Sequence, residues 1–420
     1  MSAVNADDLA AGRLRLAELL AEAAELEHGL LCQYLYAAFS FKRSPAEGPT
    51  WKQLEQMRGW QSTILLVARQ EMEHLGYVCN MLTAIGEAPN LTRPNFPLGL
   101  RHYPLAIPSR LERFGAAALK RFILFEIPQQ LDPTEQEDLQ RALPGVSIAE
   151  HQTLGALYGE IHELFGKLDG PGLCVGPPSA QTANVQIRGV RGVQVGSSAP
   201  IYDVLVKPVT DVASAQAAVE QIVHEGEGAP GYDATSHFAR FCEIAEELAA
   251  AQLADPSFDP ARAVVTDPDQ LGKDADPSTL AVCELFDLAY ATMLLLLIRF
   301  FAHSDESEGE LAGIQQVVFF PMMTTVIRPL GELLTLLPAR AGSSDRAGPS
   351  FGVTRTVAQL PHRHSAWAVI GGQLELLGSR ASALALDNAY PPEVRTRLTL
   401  MSENLRRMAA DFAATMEPVA

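Results

Sequence analysis

Four separated stretches of this chain set carboxylates and imidazoles into otherwise apolar helical patterns: around Glu27, from Glu71 to His74, around Glu160, and from Glu227 to His237. Oxygen and nitrogen donors gathered on helices form the ligand set of a buried metal centre. The sharpest of the four is Glu71-x-x-His74 within ILLVARQEMEHLGYVCNMLTAIG, residues 64 to 86. Residues three apart share a helix face. Ile64 to Val67 on one side and Leu75, Val78, Met81, Leu82 and Ile85 on the other leave little polar surface, so the two side chains need an internal partner. A cation would supply one. In isolation the same pair also fits a solvated helix face.

The elements that would position these groups are long helices. LAELLAEAAELEHGLLCQYLYAAFSF, from Leu16 to Phe41, is polar in its first half and apolar in its second, with Glu27 at the join. Tyr34 lies two turns further along the same face, so carboxylate and phenol could share one cavity. Metal pairs bridged by carboxylates in four-helix bundles take one Glu from each of two helices and a Glu-x-x-His from each of the other two. Glu27 with Glu71 and His74 makes half of such a set. For the other half, residues 153 to 168 offer Tyr158, Glu160, His162 and Glu163, residues 211 to 228 offer Glu220, His224, Glu225 and Glu227, and His237 opens a further helical pattern.

The segments ELEHGLLCQYLYAAFSFK, QEMEHLGYVCNMLTAIGEAPNL, LFEIPQ, HEGEG and SHFARFCEI, in that order, resemble the ferritin-like proteins of the iminophenyl-pyruvate dimer synthase family. These are relatives of the ferritin-like portion of enzymes that couple amino-acid-derived imines in indolocarbazole and violacein biosynthesis. The resemblance covers residues 12 to 250 or so, and FFPMMTTVIRPLGELLTLLP onward resembles the helical extension of some relatives. It implies metal ligation by Glu27, Glu71 and His74, with Glu227 and His237 from the fourth helix. Where relatives read Gly-Glu-aromatic-Tyr, this chain reads Gly155, Ala156, Leu157, Tyr158. Glu160, one turn away and shifted about 6 Å along the axis, is the candidate substitute; the alternative is an incomplete second site.

The fold expected is all-α: a ferritin-like four-helix bundle over residues 1 to 255, a small β excursion at 184 to 209 where Gly punctuates an alternating pattern, and a second helical domain over 256 to 420. The Pro-rich loop at 89 to 110 cannot be one helix; it is read as cover for the bundle, with His102 and Tyr103 as candidate entrance residues. His362 and His364 in LPHRHSAW are read as surface residues.

Carboxylate and imidazole without thiolate suit iron, one or two ions per chain, with manganese as the alternative occupant. Ferrous ions held so, with open positions, could reduce dioxygen as co-substrate, and Tyr34 and Tyr158 are the candidate catalytic residues that would tune the oxidant or become radicals. The substrate implied is an amino-acid-derived or aromatic small molecule of specialised metabolism, oxidised, hydroxylated or coupled to a second copy. Electrons from outside would come from a separate donor or partner enzyme, since no Gly-rich dinucleotide fingerprint appears. The competing classes are a metal-free scaffold and an iron store; a homodimer is one option for the amphipathic carboxy-terminal helices.

Composition narrows these readings. With 47% hydrophobic and 20% charged residues the chain is globular, and a net charge of -18 without a Lys/Arg cluster excludes nucleic acid as a partner. Cys32, Cys79, Cys174, Cys242 and Cys283 show no Cys-x-x-Cys spacing and are read as small hydrophobes. The apolar run at 288 to 303 is shorter than the roughly 20 residues a membrane span needs and is read as a core helix. The amino-terminal residues lack a basic region followed by an apolar core, so a cytoplasmic protein is expected.

Overall fold

A computed structural model describes residues 6–98, 107–145, 153–170, 172–182, 206–226, 233–268, 274–302, 306–353, 357, 360 and 362–416. It divides into two compact units: Met1–Asn90, Pro97–Ala183 and Val204–Arg262 form the first, while Leu91–Phe96 and Ala263–Ala420 belong to the second. Among the described residues the chain is all-α, with isolated β-bridges and no paired strands. Most of the predicted β excursion lies outside the described residues, and 206 to 209 are irregular.

The first unit rests on two long helices, α1 (Ala6–Phe39) and α2 (Trp51–Ala84), packed along each other. Thr50 starts α2 with a capping box, its side chain accepting from the Gln53 N–H while Gln53 caps the Thr50 backbone. Gly86, at φ +89°, ends it: the Gly86 N–H reaches Thr83 O and the Glu87 N–H reaches Leu82 O, a left-handed closure that a side chain would strain. Shorter helices complete the bundle: α3 (Ala116–Phe125), α4 (Pro133–Ala142), α5 (Leu154–Lys167), α6 (Val212–Gly226) and α7 (His237–Ala254). Packed pairs are α3 with α7, α5 with α6, and α5 with α1. Two N-caps, Thr153 for α5 and Ser236 for α7, accept from Ala156 N–H and Ala239 N–H. Asn80, fully buried in α2, clamps two loop segments by donating to Thr182 O and Lys207 O while accepting from the Thr182 N–H.

The second unit contains α8 (Pro277–Ala302), α9 (Glu308–Val317), a π-helical stretch Val318–Ile327, α10 (Arg328–Leu334), α11 (Arg363–Leu386) and α12 (Pro392–Thr415). Helix α8 is long and apolar enough to cross a membrane, but 72% of its apolar window is buried inside the chain, as a core helix would be. Near its end the buried Arg299 donates to Glu306 and to Leu360 O, and Trp367 Nε1 donates to the same Glu306 oxygen. The charge is buried with its partners in place. Stacking of Trp367 on Phe412, ring centroids 4.1 Å apart, joins α11 to α12.

Of the Pro-rich loop, Arg93 donates to Phe351 O and lies 4.4 Å from the Phe96 ring centre, all within the second unit. His102 and Tyr103 lie outside the described residues. His362 and His364 are exposed, and the five cysteines form no disulfide.

Candidate metal centre

Inside the first unit α1, α2, the end of α3 and the start of α7 converge on a buried cluster of Glu27, Glu71, His74, Glu126 and His237. It contains two three-donor groups, Glu27/Glu71/His74 and Glu71/Glu126/His237, each with ligand atoms within 4.8 Å of one another. Glu71 belongs to both. One of its oxygens lies 3.2 Å from His74 Nδ1 and the other 2.9 Å from His237 Nδ1. Glu27 Oε2 is 3.6 Å from His74 Nδ1, and Glu126 Oε2 is 3.6 Å from His237 Nδ1.

A phenol buttresses each terminal carboxylate. Tyr158 donates to Glu27 and Tyr34 donates to Glu126. Tyr34 is wedged between Phe122 and Phe241, at 4.6 and 5.1 Å between ring centres, which closes the Glu126/His237 side with aromatic rings. His74 turns its other nitrogen to Glu225 Oε2 at 3.1 Å, and Gln221 Nε2 donates to Glu225 Oε1.

Electrostatics couple these groups through shared protons. Burial, with repulsion from Glu71, pushes the Glu27 carboxyl up to about 8. Burial alone would raise Glu71 as well, but the imidazolium charges of His74 and His237 outweigh it and hold Glu71 well below the ordinary carboxylate range. Burial opposes charging of both histidines; Glu71 overcomes that, keeping His74 protonated well above its usual range and His237 up to about 9. Burial also pushes both phenols well above their ordinary range, reinforced by Glu126 for Tyr34 and by Glu27 for Tyr158.

The donor set fits a metal. Glu27 Oε2, Glu71 Oε1 and both ring nitrogens of His237 are buried and make no hydrogen bond among the described residues. Glu71 Oε1 and His237 Nδ1 are nevertheless 2.9 Å apart, close contact without the alignment a hydrogen bond needs. Oxygen and nitrogen atoms converging in this way could hold a cation once the protons on them leave, and carboxylate with imidazole and no thiolate suits iron or manganese. The accessible space beside them is about 20 Å³, the size of one or two waters or ions and far too small for an aromatic substrate. Leu154, Gly155 and Tyr158 of α5 and Ile222, Val223 and Gly226 of α6 also line it.

Six of the eight sequence-designated residues, Glu27, Tyr34, Glu71, His74, Tyr158 and His237, meet here. Glu227 lies outside the described residues. Glu160 requires correction: its side chain is 50% exposed and paired with Arg15 at 2.9 Å. The buried stripe of α5 is Leu154, Leu157, Tyr158, Ile161 and Phe165, so Glu160 and Ala156 both face outward. A carboxylate at position 156 would point to solvent, and the substitution there leaves this cluster intact. The other α5 and α6 candidates, Glu163, His162, Glu220 and His224, pair near the surface.

Glu126 supplies the carboxylate that sequence reading sought on α5. It caps the C-terminal end of α3, where a negative charge works against the helix dipole, so local helix stability does not account for it. The available signal was a lone acid between Leu124-Phe125 and Ile127 in LFEIPQ, the same anomaly that marks Glu71.

A family model described as ferritin-like matches residues 20–246. Dichlorochromopyrrolate synthase of Lentzea aerocolonigenes is 28% identical over 429 residues, covering 93% of this chain and 41% of that protein. The 2-imino-3-(indol-3-yl)propanoate dimerase of Chromobacterium violaceum is 27% identical over 366 residues, covering 80% of this chain and 34% of its own length. The chain thus spans less than half the length of either relative. A solved ferritin-like protein from Caulobacter vibrioides superposes with a TM-score of 0.44 at 19% identity, over 73% of this chain and 95% of that one.

Proposed function

The chain belongs to the ferritin-like family, and on that premise we propose that its first unit holds a pair of iron ions and oxidises an amino-acid-derived aromatic molecule, joining two copies of an imine. The observation that carries this reading is the membership of Glu71 in both three-donor groups, the arrangement of a bridging carboxylate. The names of the two relatives, a synthase of dichlorochromopyrrolate and a dimerase of an indolyl imine, support the substrate class.

Glu27, Glu71 and His74 would hold one ion and Glu71, Glu126 and His237 the other. Bound iron would supply the electron transfer to dioxygen. The chain's own residues do the rest. Glu27 and the two histidines would give up protons to ligate a metal, because the lone pairs those protons occupy are the ones required. Tyr158 and Tyr34, kept protonated by burial, hold Glu27 and Glu126 by donating hydrogen bonds, and stand next to the ligands as one-electron donors. The small cavity limits water at the reacting centre, and a bulky substrate would dock beside it, where α5 and α6 contribute to its lining.

Coupling two molecules through one new bond releases two protons and two electrons, which dioxygen accepts as hydrogen peroxide. That stoichiometry needs no outside reductant, whereas insertion of one oxygen atom needs two electrons from a donor protein. The test is anaerobic reconstitution with ferrous iron, metal analysis and then exposure to air with near-ultraviolet monitoring. The expected result is about two irons per chain, as a carboxylate-bridged pair requires, and a transient absorption. Many irons per chain would indicate storage, and none would indicate a scaffold; either overturns the reading.

A further inference from the structure

The two histidines of the centre are anchored differently. His74 is held at both ring nitrogens: Nδ1 faces Glu71 and Glu27, while Nε2 lies 3.1 Å from Glu225 Oε2. Glu225 is itself fixed, accepting from Gln221 Nε2 through its other oxygen. Turning the His74 ring over would break both sets of contacts. His237 has Nδ1 near Glu71 and Glu126, but its Nε2 is buried at 0% exposure with no hydrogen-bond partner among the described residues.

A carboxylate accepting from the distal N–H of a ligating imidazole fixes its tautomer, orients the ring and makes the ligating nitrogen more basic. His74 has that partner, and among the described residues His237 has none. We propose that the two halves of the centre are unequal, with Glu225 the positioning residue that makes the His74 half the tight one. This rests on the metal-binding reading above. The cavity itself is shared, lined by Glu27, Glu71 and His74 of one group and by Glu71 and Glu126 of the other, so the inequality lies in how the two imidazoles are anchored.

The experiment is an anaerobic titration of the metal-stripped full chain with ferrous iron in competition with a chelator, for the wild type, Glu225→Ala and Glu225→Gln. The wild type is expected to bind in two separated steps. Glu225→Ala should weaken the first step by roughly 10- to 100-fold and leave the second unchanged, merging the two. Glu225→Gln, whose carbonyl still accepts from Nε2–H, should restore most of the separation. A general structural effect would instead weaken both steps alike and lower the melting temperature. Two equal steps in the wild type, or a first step indifferent to both substitutions, would overturn the inequality and leave the two-metal reading standing. No binding by the wild type would overturn that reading itself. If Glu225→Ala fails to fold, the order of wild type and Glu225→Gln still decides: a Gln variant with both steps weakened equally would overturn the proposal.

Discussion

Glu71 Oε1 lies 2.9 Å from His237 Nδ1 although neither atom makes a hydrogen bond among the described residues, and the same carboxylate reaches His74 through its second oxygen. A single side chain thereby ties α2 to α7 and joins both halves of the centre.

Glu71→Gln should therefore abolish binding of both ions, while Glu27→Gln or Glu126→Gln should cost one each. Metal content per chain after ferrous reconstitution distinguishes these outcomes. Equal loss in all three variants would contradict the shared role of Glu71.

Glu160→Ala should leave metal content and turnover unchanged. Its pairing with Arg15 is solvent-exposed, each side chain at 50% exposure, and such pairs contribute about 0–1 kcal/mol. A drop in bound metal would restore Glu160 to the site.

Gly226→Ala tests the space around Glu126. An added Cβ would stand 3.3 Å from Glu126 Oε2, tight enough to push the carboxylate by a few tenths of an ångström. The expected outcome is weaker binding in the Glu126/His237 half with a helix content that circular dichroism reports as unchanged.

The metal-stripped chain should lose stability as pH rises. Glu27 goes from an ordinary 4.5 to about 8 on folding, and His237 from 6.5 to about 9. A group whose folded value is raised gives stability that is full below its unfolded value and is lost as pH climbs through the folded one. The fall in melting temperature should thus run from mildly acidic conditions to about pH 9 and correspond to a few kcal/mol, while the iron-loaded chain, whose ligands have already shed those protons, should show a flatter profile. Calorimetry of both forms across this range checks it.

Tyr158→Phe and Tyr34→Phe remove the donors to Glu27 and Glu126. Leaving a buried acceptor unpaired costs about 1–3 kcal/mol, so each variant should unfold at lower denaturant concentration when metal-free. Unchanged midpoints would mean the phenols do not support the carboxylates.

Much of this centre was readable from residue order because Glu71 and His74 are polar residues in an apolar helix, an anomaly that periodicity exposes. Glu27 lines the cavity and Tyr34 does not; each pairs with a partner no local pattern gives, Tyr34 with Glu126 and Glu27 with Tyr158. Glu126 escaped because it sits on a helix end, beyond the reach of same-face arguments. Glu160 was misjudged for a reason visible in the sequence itself. Leu154, Leu157, Tyr158, Ile161 and Phe165 mark the inner stripe of α5, and the position taken as the starting point, Ala156, lies off it.

The five converging side chains come from α1, α2, the end of α3 and the first residue of α7. More than two hundred positions separate Glu27 from His237, so the second three-donor group exists only once α7 has joined the helices that precede it. A domain of this kind folds as a unit, and a chain cut before His237 would carry the Glu27/Glu71/His74 group without its counterpart.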